Sequence, residues 1–77
     1  MNDAYILIQT EVGKSSIVTK AVNGIDGVVA VDAVTGPYDV IVRASAKTLD
    51  ALSRGVLSKI QQVNGVTRTL TCPIVRF

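Results

Sequence analysis

Apolar residues in this chain switch between two spacings, alternation and helical periodicity, and the switches mark out six elements. Ala4 to Thr10 is a short β-branched and aliphatic run that reads as a strand. Ser15 and Ser16 suit a helix start, and Ile17, Val18, Ala21, Val22 and Ile25 then recur at helical spacing as one apolar stripe. Asn23-Gly24 weakens the end of that helix and Asp26-Gly27 terminates it. Val28 to Thr35 predicts a second strand, Gly36 to Asp39 a tight turn, and Val40 to Ala46 a third strand. Thr48 is placed to cap a second helix whose buried face is Leu49, Leu52, Val56, Leu57, Ile60 and Val63. Asn64-Gly65 closes it, and Val66 to Phe77 predicts a last, threonine-rich strand interrupted by Pro73.

The order is βαβ followed by βαβ, and the halves echo each other. Gly27-Val28 follows the first helix as Gly65-Val66 follows the second. Two split βαβ units predict an α+β, ferredoxin-like βαββαβ fold with both helices on one face of a four-stranded antiparallel sheet. Right-handed crossovers put the first and third strands in the middle, giving the order 4-1-3-2. Pro73 then falls on an edge strand, where proline is tolerated.

The strands carry apolar residues on both sides. Tyr5 and Leu7 oppose Ile6 and Ile8 on the first, and Val29 and Val31 oppose Val28, Ala30 and Val34 on the second. Two helices cover only one face, so the pattern predicts that the open face packs on a second copy, sheet to sheet. Composition points the same way. The chain has 77 residues, a single domain over 1–77, yet 48% are hydrophobic and only 18% charged.

Charge and reactive side chains remove several function classes. The net charge is +2 and the eight basic residues are scattered without a run, which does not suit nucleic acid. The aromatic residues are Tyr5, Tyr38 and Phe77, too few on the central strands for an RNA-stacking sheet. No signal peptide or run of about 18 apolar residues is visible, so the expectation is a cytoplasmic protein without a membrane span. There is no histidine and one cysteine, Cys72, expected as a small packed residue. The six acids, Asp3, Glu11, Asp26, Asp32, Asp39 and Asp50, fall in no metal-binding or catalytic spacing. The expectation is no catalytic residue, no metal and no cofactor.

Binding chemistry concentrates in two places. Thr35, Gly36, Pro37, Tyr38 and Asp39 combine a constrained backbone, a ring and a carboxylate. Thr67, Thr69 and Thr71 recur at period two, so their hydroxyls share one side of the last strand. Hydroxyls and amides suit a carboxylate and Asp39 suits an ammonium, together the two ends of a free amino acid. The plainer alternative is that the threonines are good strand formers and Asp39 braces its own turn.

From Ala4 to Val75 the chain resembles the effector-binding domain of the Lrp/AsnC transcription regulators, also called the RAM domain. The resemblance rests on Ala4-Tyr5-Ile6-Leu7-Ile8, on Val34-Thr35-Gly36-Pro37-Tyr38-Asp39-Val40, and on Asn64-Gly65-Val66-Thr67-Arg68-Thr69-Leu70-Thr71. It implies a ferredoxin-like fold, dimers through the sheets, rings of dimers that are often octamers, and amino-acid effectors bound in clefts between dimers. By position, the ligand-facing residues would be Thr35, Gly36, Pro37, Tyr38 and Asp39 from the turn and Thr69, Leu70 and Thr71 from the last strand, with Val34 and Val40 as apolar neighbours.

Regulators of this family usually carry an N-terminal helix-turn-helix domain, and this chain begins at its effector domain. The resemblance is therefore to a stand-alone form that would not bind an operator by itself; a fragment of a longer regulator is the alternative. Such a module would sense amino acids and either modulate full-length family members through mixed rings or report amino-acid levels to another partner. The competing class is a small ferredoxin-like enzyme that dimerises into a barrel around an organic substrate. The absence of histidine counts against it.

Overall fold

Four strands and two helices form in the expected order in the computed structural model, which describes residues 1–77. The strands are β1 (Asn2–Thr10), β2 (Val28–Ala33), β3 (Val40–Ala46) and β4 (Val66–Pro73). All pairs are antiparallel and the sheet order is β2-β3-β1-β4, the predicted order read from its other edge. Pro73 ends β4 on that outer edge, where it interrupts no interior ladder.

The core lies between the sheet and the helices. Ala4, Ile6 and Ile8 of β1 and Val40, Val42 and Ala44 of β3 face one side and are fully buried. Helix α1 (Ser15–Asn23) sets Val18 and Val22 on them, with Ile25 packed behind. Ile17 is 57% exposed and Ala21 is also exposed, so the buried stripe is narrower than the five-residue one expected. The helix turns only Val18 and Val22 to the sheet, and Ile25 packs in from the turn that follows it.

The second helix, α2, is composite. Ala51–Leu57 is wound as a π-helix and Ser58–Gln61 as an α-helix; the Ser58 amide donates to the Ser53 carbonyl, five residues back. Thr48 caps it, its hydroxyl accepting from the Ala51 amide at 3.0 Å. Leu52, Val56 and Ile60 are buried, while Leu49, expected on the buried face, stands 60% exposed in the first turn after the Thr48 cap.

The internal echo is structural. After each helix the chain closes successive turns with equivalent bonds: Ile25 to Val22 and Val28 to Ile25 in the first half, Val63 to Ile60 and Val66 to Val63 in the second. Gly27 and Gly65 hold φ of 96° and 103°, the left-handed region. Each then accepts a 2.8 Å bond at its carbonyl, Gly27 from Ser45 near the end of β3 and Gly65 from Glu11 just past β1.

Strand β2 departs from the expected alternation. A bulge between Val28 and Ala30 inserts Val29, so Val28 and Val31 share the helix side and Ala30 and Asp32 share the open side. Regular pairing stops at Ala33, and Val34 and Thr35 belong to the following loop. Strand β4 ends at Pro73 instead of running to Phe77, although the Ile74 amide still donates to Asp3. No helix is long and apolar enough to cross a membrane.

Candidate functional site

The loop from Val34 to Asp39 is anchored to its own base and to β1. The Val34 amide donates to the Asp39 carbonyl and the Asp39 amide to the Ile8 carbonyl, both at 2.9 Å. The Gln9 side-chain amide donates to the Pro37 carbonyl at 3.0 Å. Asp39 itself is half-buried, and its Oδ2 accepts from the Thr10 amide at 2.8 Å and the Thr10 hydroxyl at 3.3 Å. One carboxylate oxygen is therefore spent inside the subunit, fixing the turn to the end of β1.

That turn opens onto the uncovered face of the sheet. Thr35, Gly36, Pro37 and Tyr38 line a shallow cavity of about 320 Å³ whose floor is Leu7, Val34 and Ile41. Leu70 pairs with Leu7 across the β1–β4 ladder and extends the apolar floor toward the sheet edge. Direct pairs in an antiparallel ladder point to the same side.

The same rule carries Thr69 and Thr71 to the other side. They pair with Ile8 and Ile6, which face the helices. The Thr69 hydroxyl accepts from the Gln61 side chain at 3.1 Å. Thr71 lines a separate, mostly apolar groove of about 290 Å³ between α2 and the edge strand, with Ile6, Leu49, Leu52, Ser53, Leu57 and Pro73. Of the sequence-predicted residues, the structure brings Thr35, Gly36, Pro37 and Tyr38 together, with Leu70 on the same face. It holds Asp39 at the rim and sets Thr69 and Thr71 behind the sheet.

The sheet face has a second polar cluster at its far end. Asp3 pairs with Arg76 at 2.7 Å and Arg43 at 3.6 Å, and the Arg43 guanidinium sits 5.5 Å from the Tyr5 ring centroid while donating to its hydroxyl at 3.1 Å. The Ser45 side chain, then Arg76 and Arg43, hold the Asp3 carboxyl below the usual carboxylate range against some desolvation. Cys72 pairs with Tyr5 and is exposed on this open face, not packed as expected, because β4 is an edge strand with nothing over it. No cluster of three metal-ligating side chains forms.

Residues 3–76 match the model of the Lrp/AsnC ligand binding domain. The chain belongs to that family. Among solved structures it is similar to TTHA0845 from Thermus thermophilus, at 30% identity and a TM-score of 0.91, over 100% of this chain and 96% of that one. It is similar to the AsnC protein of Escherichia coli at 19% identity and a TM-score of 0.88, over 99% of this chain and 52% of AsnC. A transcriptional regulator of Neisseria meningitidis, NMB0573, solved as its L-Met complex, shares the fold at 21% identity and a TM-score of 0.82, over 97% of this chain and 50% of that one. No curated protein sequence matches the chain.

Within the Lrp/AsnC ligand-binding fold, several side chains at the site carry no obvious sequence signal. Gln9 and Thr10 brace the turn, Leu7 and Ile41 floor its cavity, and Gln61 holds Thr69. Only Gln9 breaks a pattern: it is a polar residue in the line of Tyr5 and Leu7.

Proposed function

We propose that this chain is a non-enzymatic amino-acid effector-binding and assembly module that works as a homo-oligomer, its effector site completed between subunits. The supporting observation is the split of the candidate residues across the sheet. Thr35, Gly36, Pro37 and Tyr38 open on one face, Thr69 and Thr71 on the other, and a four-stranded sheet lies between them. No single subunit offers both sets to one small molecule. A second copy that presents its β4 edge to the turn of the first does.

In this reading the effector's ammonium meets the turn, through the remaining Asp39 oxygen and the turn carbonyls. Its carboxylate meets the Thr69 and Thr71 hydroxyls and nearby amides, and its side chain enters the apolar groove beside Thr71. Dimers form through the open sheet face, where Tyr5 and Leu70 are 41% and 46% exposed, and dimers close into a ring such as an octamer. The module acts in the cytoplasm, alone or in mixed rings with full-length Lrp/AsnC regulators.

A ligand of so few heavy atoms gives a Kd on the order of micromolar to millimolar. Isothermal titration with the free L-amino acids tests this, L-methionine first because the similar Neisseria regulator was solved with it. Saturable binding lost in Tyr38→Ala and in Thr71→Val supports the reading. Heat-silent titrations with all of them, on an intact oligomer, sink the effector half of it. Because ligand bound only by the assembly stabilises the assembly, saturating effector also shifts partly dissociated protein toward the larger species.

A further inference from the structure

The open sheet face is a small grid whose charges are placed unevenly. One row across the strands is apolar in its centre and at one edge: Ile41 on β3, Leu7 on β1 and Leu70 on β4. The fourth member of that row, on edge strand β2, is Asp32, directly paired with Ile41. Arg68 lies on the opposite edge strand, paired with Gln9, one same-side step along β4 from Leu70. Neither takes part in any of the ion pairs of the structure, which are Arg43–Asp3, Arg76–Asp3 and Arg54–Asp50.

This layout restricts how two such faces can meet. Two copies stacked face to face are related by a two-fold axis lying in the interface, and for aligned sheets that axis runs close to either the strand direction or the direction across the strands. With the axis across the strands, the apolar row meets its own copy only by setting Asp32 against Asp32 of the second copy. Like charges facing each other in a closing interface cost several kcal/mol. With the axis along the strands, β2 lies over β4 of the second copy and β3 over β1. Ile41 then meets Leu7, and Asp32 meets Leu70 with Arg68 about 6.6 Å further along the strand, within reach of a guanidinium on its long stem.

We propose that the second copy docks on the open face about a two-fold axis parallel to β1 and β3, and that Asp32 of each subunit pairs with Arg68 of the other. The inference rests on the sheet-face dimer proposed above and adds its orientation and its charge code. The code is self-complementary: two Asp32–Arg68 pairs form per dimer, one at each lateral edge, flanking the apolar row. It also distinguishes copies of this chain from related domains that lack the pair, which sets the composition of any mixed assembly.

Charge reversal tests it by sedimentation at graded concentration and salt. Asp32→Lys and Arg68→Glu each place two like-charge contacts in the dimer, and each weakens it about ten-fold or more at low salt, less at high salt. The double reversal restores the dimer constant to within about three-fold of the original. Mixing the two single variants gives heterodimers in excess over either homodimer, since both edges are then complementary. A dimer that persists with all three variants at the original strength overturns the orientation while leaving the sheet-face dimer standing. If Asp32→Lys pairs with the unmodified chain as strongly as with Arg68→Glu, and in preference to itself, the axis crosses the strands and the proposal fails. A chain that is monomeric throughout overturns the sheet-face dimer and this inference with it.

Discussion

The Thr10 amide donates to Asp39 Oδ2 at 2.8 Å, the shortest of the bonds that tie the loop after β2 to the end of β1. It falls where the β1–β4 register shifts between Gln9 and Thr10, so the Thr10 amide takes a carboxylate partner at the break. Asp39 thus braces its turn and leaves one oxygen at the rim of the cavity. Asp39→Ala should destabilise the fold by about 1–3 kcal/mol, the range for losing a charge-assisted bond and stranding its donor. Thr10→Ala keeps the amide and loses only the longer hydroxyl contact, so it should cost under about 1 kcal/mol. Urea unfolding of the two variants checks the order.

Two glycines should respond in opposite ways to the same substitution. At Gly27, φ is 96° and an added Cβ would stand 2.5 Å from the buried Val56 side chain and 3.2 Å from the Ser45 carbonyl. Gly27→Ala should therefore cost roughly 2 kcal/mol or more, combining backbone strain with overpacking. At Gly55, inside the π-helical segment, an added Cβ meets nothing within 4 Å. Gly55→Ala should stabilise by about 0.5–1 kcal/mol. Thermal melts of both proteins should move in opposite directions.

Asp3 gives a pH signature. Its carboxyl is held below the ordinary range by the Ser45 hydrogen bond, then by Arg76 and Arg43. A carboxyl whose pKa is lower in the folded state contributes stability above its unfolded value, near pH 4, and loses it as pH falls through the folded value. Asp3→Asn should be the less stable protein at pH 7, and the gap should close below about pH 4. Added salt should narrow it at neutral pH, because Arg76 and Arg43 are substantially exposed. Denaturant midpoints of both proteins across pH 2–7 check the direction.

The core should behave as a single unit. Ile6 is fully buried at the centre of the sheet and also backs the groove that holds Thr71. Ile6→Ala should cost about 2–5 kcal/mol. Leu49→Ala, at a mostly exposed rim position of the same groove, should cost under about 1 kcal/mol. Chemical denaturation separates the two.

Much of this architecture is legible in the residues. Gly27-Val28 and Gly65-Val66 mark the duplicated unit, and their matching φ values show that the echo is one of backbone geometry. Pro73 marks an edge, and Thr48 a cap. The departures have physical causes. Helical spacing alone admits neighbouring stripes, so Ile17 reads as an inside residue although only Val18, Val22 and Ile25 reach the sheet. A bulge carries no sequence signal beyond a valine run, so Val29 shifts the faces of β2 without warning. The threonines and the turn look like one set in sequence. Their division between faces follows from period-two alternation through Thr69, Leu70 and Thr71, which only the register makes concrete.

The central claim is that one effector site takes its turn from one subunit and its threonines from another. Mixing Tyr38→Ala and Thr71→Val proteins, each unable to bind L-methionine or whichever amino acid the parent chain takes, tests it most directly. After subunit exchange, a shared site predicts that about a quarter of the sites bind, since half the subunits carry an intact turn and half an intact β4. Calorimetry that finds no binding sites in a mixture shown to have exchanged its subunits would contradict it.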